Sequence, residues 1–175
     1  MLKNLLIYRL IILNVVGFAF LSWAYIQGWV VEHLREDITY LSLLIFILFL
    51  YNLILLAIRS VKISRLLNSM KRKESVVVIS DKFRAKMGMI FEFPSLLTNL
   101  GFLGTLIGFG IAMKGLGSVD LGSADSSAIV GSMMPGINVS IFTATVGTFF
   151  GLWSELNKII VNGAMECMIS DSERQ

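Results

Sequence analysis

Apolar positions along this chain run on without a break, neither alternating nor recurring at every third or fourth place. Four such runs can be drawn, about 5–31, 39–58, 94–113 and 135–160. Each is close to or longer than about 20 residues, the length at which a helix rising 1.5 Å per residue crosses a hydrocarbon core of roughly 30 Å. The pattern predicts an all-α membrane protein of four transmembrane helices. The first run follows Lys3 and contains Arg9, as the basic region of a signal peptide would. Its apolar stretch is too long for that role, and "WAYIQGWVVEH" has no small-residue cleavage site, so a retained span is expected.

Composition strengthens the membrane assignment. The chain has 175 residues, of which 55% are hydrophobic and 15% charged, and a mean hydropathy of +0.77. A soluble domain of this size leaves much of its chain wet and could not hide so much apolar surface. The single cysteine, Cys167, rules out an internal disulfide.

Charge supplies the orientation. Over residues 59–86, between the second and third runs, lie Arg59, Lys62, Arg65, Lys71, Arg72, Lys73, Lys82, Arg84 and Lys86, against only Glu74 and Asp81. The connection between the third and fourth runs has one basic residue, Lys114, and that between the first and second is mainly acidic. The positive-inside rule predicts a cytoplasmic basic segment with both termini on the same side. That segment is read as topology and attraction to lipid headgroups, with no nucleic-acid binding expected. Within it, "SVVVIS" fits either a short strand or helix continuing out of the membrane.

Motifs for ordinary catalysis are missing. There is no Walker A, GxSxG, HExxH or Cys/His cluster, and His33, the only histidine, stands beside acids in an outer loop as a solvated residue. No enzyme activity, cofactor or metal site is expected.

The runs differ in texture. The second is bulky and apolar all round, whereas the third and fourth carry small and polar residues. Thr98, Gly101, Thr105, Gly108 and Ala112 follow one another at steps of three or four, and Gly104 with Gly108 forms a GxxxG pair. In the fourth run Gly136, Ser140, Thr143, Gly147, Gly151 and Ser154 trace another such face. Lipid gives no hydrophobic drive for helix pairing, so close backbone approach and interhelical hydrogen bonds supply it. The glycines therefore read as packing surfaces, for each other or for a partner. Thr105 lies ten residues past Ser95, and Thr143 eight past Pro135, roughly 15 and 12 Å into an antiparallel pair. The two hydroxyls are expected at nearly one depth, either bonded to their own helices or forming a polar track.

The stretch "LGFLGTLIGFGIAMKGL", followed after a polar loop by "MMPGINVSIFTATVGTFFGLWSEL", resembles the paired signature of the MotA/TolQ/ExbB proton-channel family. The likeness covers about residues 94–157. "VGTFFG" is close to the MotA-like form and "PGI" to that of TolQ and ExbB. The first two runs match in topology alone. Two departures stand out: the position where TolQ and ExbB place a glutamate is Val139, and the basic segment is far shorter than the cytoplasmic domain of MotA.

The resemblance implies a homopentameric ring in a bacterial inner membrane, whose third and fourth helices line a pore. It also implies a dimeric single-span partner of the MotB/TolR/ExbD kind, bringing an intramembrane aspartate into that pore. Residues 1–60 would be a peripheral hairpin, 61–92 the basic cytoplasmic segment, 93–163 the pore-lining hairpin and 164–175 a cytoplasmic tail. Thr105, Thr143 and Ser140 would serve the ion pathway, and Gly101, Gly104, Gly108, Gly136, Gly147 and Gly151 the packing or partner-facing surfaces. Intramembrane acids are the usual carriers of a moving ion. Arg9 and Glu155 lie near span ends, so this chain would borrow its titrating group. Two rivals remain: a transporter or passive channel, which would be expected to carry its own charged or broken-helix site, and an assembly scaffold without ion flow.

Overall fold

In the computed structural model the backbone is described for residues 2–28, 30, 37, 39–69, 73–119 and 126–174. Side chains are described chiefly over 7–28, 39–61, 92–119 and 126–163, together with Asp37. Four helices result: α1 (Leu2–Ile26), α2 (Leu41–Ser69), α3 (Lys73–Gly117) and α4 (Ser126–Arg174). Each contains a stretch apolar enough to cross a membrane, namely Ile7–Ile26, Leu41–Val61, Glu92–Gly117 and Ser126–Gly163. This is the architecture of a multi-pass membrane protein. Between 11% and 28% of each stretch is buried in the bundle, and side chains such as Ile12, Val16, Phe102 and Ile141 stand more than half exposed. In water that surface would drive aggregation, whereas in lipid it is already solvated.

Helix boundaries depart from the expected ones, each for a local reason. α1 stops at Ile26, short of Val31, where Gly28 takes a left-handed φ of 82°. There the amide of Gln27 donates to the Trp23 carbonyl at 3.1 Å and that of Gly28 to Tyr25 at 3.0 Å, closing the last turn. α3 and α4 do not begin at their prolines. Pro94 and Pro135 lie inside them, each removing one intrahelical N–H donor without ending a helix whose neighbours hold it. "SVVVIS" is helical, as part of α3. His33 and the loop positions 31–36 and 120–125 lie outside the described residues.

The start of α2 is fixed by Asp37. Its carboxylate accepts from the Thr39 amide at 3.1 Å, the Thr39 hydroxyl at 2.6 Å and the Ser42 amide at 3.1 Å. The last of these is a donor in the opening turn that has no intrahelical partner. Burial pushes the Asp37 carboxyl up, but hydrogen bonds from Ser42 and Thr39 outweigh it and hold the group below the usual carboxylate value.

The helices alternate in direction. Asn14, Gly17 and Phe20 of α1 meet Asn157, Trp153 and Phe149 of α4 in reverse order. α2 packs over both α3 and α4, and the α3–α4 pair is the most extensive. The core is aromatic: Phe49 of α2 lies 4.6 Å from Phe150 and 4.8 Å from Trp153, ring centre to ring centre, with Ile45 and Leu97 buried beside them. Trp153 also takes the edge of Phe18 at 5.3 Å and lies flat against Gly17, where a Cβ would collide with the indole. One polar clasp joins α1 to α4 inside the span. Asn14 donates to the Asn157 side-chain oxygen at 2.9 Å and accepts from the Trp153 indole at 3.1 Å.

Candidate functional site

The six glycines of the two motifs face each other within one chain. Gly101 lies on Gly147, where a Cβ added at Gly147 would stand 2.5 Å from the Gly101 Cα and 2.9 Å from the Leu97 carbonyl oxygen. Gly104 lies under the Thr143 side chain, Gly108 against the backbone of Ser140 and Gly136, Gly136 against Ala112, and Gly151 against the Thr98 hydroxyl. Gly115 continues the line by meeting the Ser132 carbonyl. The result is an antiparallel seam along which backbone touches backbone, the packing that small residues make possible in lipid. All six glycines are buried there.

The three hydroxyls of the expected pathway sit in the same seam. Thr105 donates to its own helix at Gly101, 3.1 Å, and is 3.4 Å from the Ser140 carbonyl. Ser140 donates back to the Thr105 carbonyl at 3.0 Å, so each helix bonds the backbone of the other. Thr143 is 0% exposed and donates to the Val139 carbonyl at 2.7 Å. The register sets Thr143 against Gly104, one residue from Thr105, as the antiparallel count anticipates. Val139, one turn before Thr143, is 1% exposed.

Sequence reading placed Thr98 on the small-residue face and left Asn99, Thr145 and Thr148 aside. Thr98, Asn99, Thr145 and Thr148 are exposed on the α3–α4 hairpin. On α4, Thr148 lies on the flank opposite Val146 and Phe150, which pack into the core. The signal that could have found them is helical phase, since Thr148 follows Gly147 by one residue and so stands about 100° off the seam.

At the end of the hairpin nearest the basic segment, a notch of about 350 Å³ opens between the helices. It is lined by Glu92, Ser95, Thr98 and Asn99 from α3 and by Glu155 and Lys158 from α4, with Gly151 and Pro94 beneath. The Lys158 ammonium reaches both oxygens of Glu155, at 3.0 and 3.1 Å.

Comparison with family models, with curated proteins and with solved structures finds no match to this chain.

Proposed function

We propose that this chain is the pore-forming subunit of an inner-membrane complex in which ion flow, driven by the proton motive force, produces rotation or force through a single-span partner carrying an intramembrane aspartate. The observation that carries the reading is the hairpin of α3 and α4. Its interior is a seam of glycine and hydroxyl, its outer flank keeps Thr98, Thr145 and Thr148 exposed, and its mid-span holds no carboxylate. A subunit built in this way offers a smooth, polar-dotted wall to a moving ion and leaves the titrating group to another chain. The two motifs that resemble the MotA/TolQ/ExbB family form the two sides of this one seam. With the basic segment in the cytoplasm, both termini lie inside, and five copies would close the ring around the partner. One charge falling through 100 mV releases about 2.3 kcal/mol, enough to bias packed states a few kcal/mol apart.

A second reading has its own observation. Thr105, Ser140 and Thr143 all have hydrogen-bond partners within the chain, as they would in a static scaffold. Ion flux into vesicles that hold the subunit with its partner separates the two. Partner-dependent flux and a mass of five copies by native mass spectrometry support the transducing subunit. A stable monomer, or a pentamer that stays tight to ions with its partner bound, overturns it.

A further inference from the structure

α1 and α2 are each held on α4, one by the Asn14 clasp and the other by the ring stack at Phe49, and they touch one another little. A groove of about 370 Å³ is left between them. Its α1 wall runs from Ile7 to Phe18 and its α2 wall from Leu53 to Val61, each recurring at third and fourth places, so one face of either helix forms it. Leu10 and Leu56 are buried at its floor, whereas Ile11, Val15 and Val61 stand exposed along its rim. The polar positions in the walls are Asn14, whose amide is taken up by the clasp, and Ser60.

Depth, an orphan hydroxyl and charge together say what the groove takes. The α1 wall rises roughly 16 Å from Ile7 to Phe18, about half of a hydrocarbon core of roughly 30 Å. It covers the first part of the span Ile7–Ile26, and the α2 wall covers the last part of Leu41–Val61. The groove therefore lies in one leaflet, the one at the basic end. A helix of that length and about 10 Å across displaces on the order of 1,200 Å³, so a helix from a second copy would rest on the rim. An acyl chain is thin enough to enter.

Ser60 is 3% exposed and its hydroxyl has no hydrogen-bond partner, although a helical serine commonly bonds a carbonyl one turn earlier. It lies one residue from the end of its span, the level at which an acyl chain joins its glycerol ester. An ester carbonyl there would accept from it. Residues 1–31 and 38–73 contain no acid. The helical register continues both walls into cations, with Lys3 four places before Ile7 and Arg65 four places after Val61. Among the described residues the acids of this end, Glu92, Glu155 and Glu166, belong to α3 and α4, and none lines the groove. Such clusters of basic residues attract anionic lipid.

We propose that this groove binds one anionic phospholipid of the leaflet at the basic end, with an acyl chain between α1 and α2, an ester carbonyl at Ser60 and the headgroup phosphate at the positions of Lys3 and Arg65. A site for a single lipid is more than a general attraction of the basic segment to headgroups, and it holds or fails independently of the transducing role.

The test titrates the full chain in detergent with phosphatidylglycerol or with phosphatidylcholine of the same chain length, and native mass spectrometry reads the bound fraction. One phosphatidylglycerol should be retained per chain, well ahead of phosphatidylcholine. Lys3→Gln combined with Arg65→Gln should reduce that preference about twenty-five-fold, at roughly fivefold for each charge near a membrane surface. Arg9→Gln should change it less than about twofold, because Arg9 follows Ile7 by two places and so stands on the opposite flank of α1. Ala57→Phe, at an exposed position in the wall, should weaken both lipids several-fold by filling the groove, and Ser60→Ala should weaken both by a few-fold. Equal retention of the two lipids overturns the proposal. An equal loss of preference in Arg9→Gln and in the double variant also overturns it, as the mark of diffuse attraction. So does an Ala57→Phe variant that changes the number of associated copies but not the lipid bound, which would make the groove a contact between copies.

Discussion

The two halves of this bundle are held by opposite means. Along α3 and α4 the helices approach until Cα nearly meets Cα, and what permits it is the absence of side chains at Gly101, Gly104, Gly108, Gly136 and Gly147. α1 and α2 are instead joined to that hairpin by large groups: stacked rings at Phe49, Phe150 and Trp153, and an amide clasp at Asn14 and Asn157. The difference teaches which contacts can give way. A seam of backbone on backbone has no rotamers with which to absorb an intruding atom, whereas rings and amides can tilt or find other partners. The α3–α4 hairpin is therefore the rigid unit, and α1 the helix most easily displaced.

The largest expected effect comes from filling the seam. Gly147→Leu would drive a side chain into the Gly101 Cα and the Leu97 carbonyl, and Gly104→Leu into Thr143. Overpacking usually costs about 1–3 kcal/mol, and at a backbone contact the upper end or beyond is expected. Gly110→Leu and Gly131→Leu, which meet nothing within 4 Å, should change stability by less than about 0.5 kcal/mol, as surface substitutions do. Unfolding of the purified protein in detergent, followed by helix content, checks the contrast. Equal losses at all four positions would erase the distinction between seam and exterior.

Loosening the clasp should cost less. Asn14→Leu or Asn157→Leu leaves the other amide without its partner inside the span. The coupling from a double-mutant cycle is expected at about 0.6 kcal/mol and no more than about 1.7 kcal/mol, the range of interhelical hydrogen bonds in membranes. Disulfide trapping between cysteines placed at Phe20 and Phe149, whose rings lie 5.6 Å apart across α1 and α4, should slow when the clasp is removed, because α1 then wanders, while pairs across the α3–α4 seam should be unaffected.

These two attachments differed as much in legibility. The seam could be read because its signal is local: small residues recur at steps of three and four, and one antiparallel turn brings the two lists together. The clasp could not, because Asn14 and Asn157 are 143 positions apart and a lone amide in an apolar run carries no mark of its partner. Pro94 and Pro135 misled the boundaries for a related reason. A proline deletes one donor, and whether the helix stops depends on neighbours that the local sequence does not show. The notch was equally hidden, since it exists where Gly151 of one helix meets Thr98 of the other.

An effect of similar size is expected at the entry to α2, on the loosely joined half. Asp37→Ala removes the acceptor of the Thr39 and Ser42 amides, a loss of about 1 kcal/mol by analogy with helix caps. The Asp37 carboxyl is held below its ordinary value in the folded chain. The unfolded chain therefore binds the proton more readily, and stability falls with acid. The contribution is complete above the ordinary carboxylate range and disappears as pH drops through the lowered folded value. Stability measured across that acidic window should decline more steeply in the native chain than in Asp37→Ala. Parallel curves would remove the cap from the account.

The smallest expected effect on stability lies inside the rigid half, at Thr105 and Thr143. Valine copies the shape of threonine and deletes only the hydroxyl. At Thr143 that hydroxyl bonds its own helix at Val139, and at Thr105 it bonds Gly101, with Ser140 at longer range. Such bonds add little, since the carbonyls they decorate already serve the helix. Thr105→Val with Thr143→Val should cost less than about 1 kcal/mol, near the average found for interhelical hydrogen bonds. Stability and transport then part company. If the hydroxyls serve the ion, partner-dependent flux should collapse in the double variant, whose fold and assembly remain intact, and Thr→Ser at both sites should restore it. Full flux with valine at both positions would leave Thr105 and Thr143 as packing and move the pathway outward. The exposed Thr145 and Thr148 would then be the hydroxyls to remove next, because a wall facing an ion must present its polar groups away from the seam.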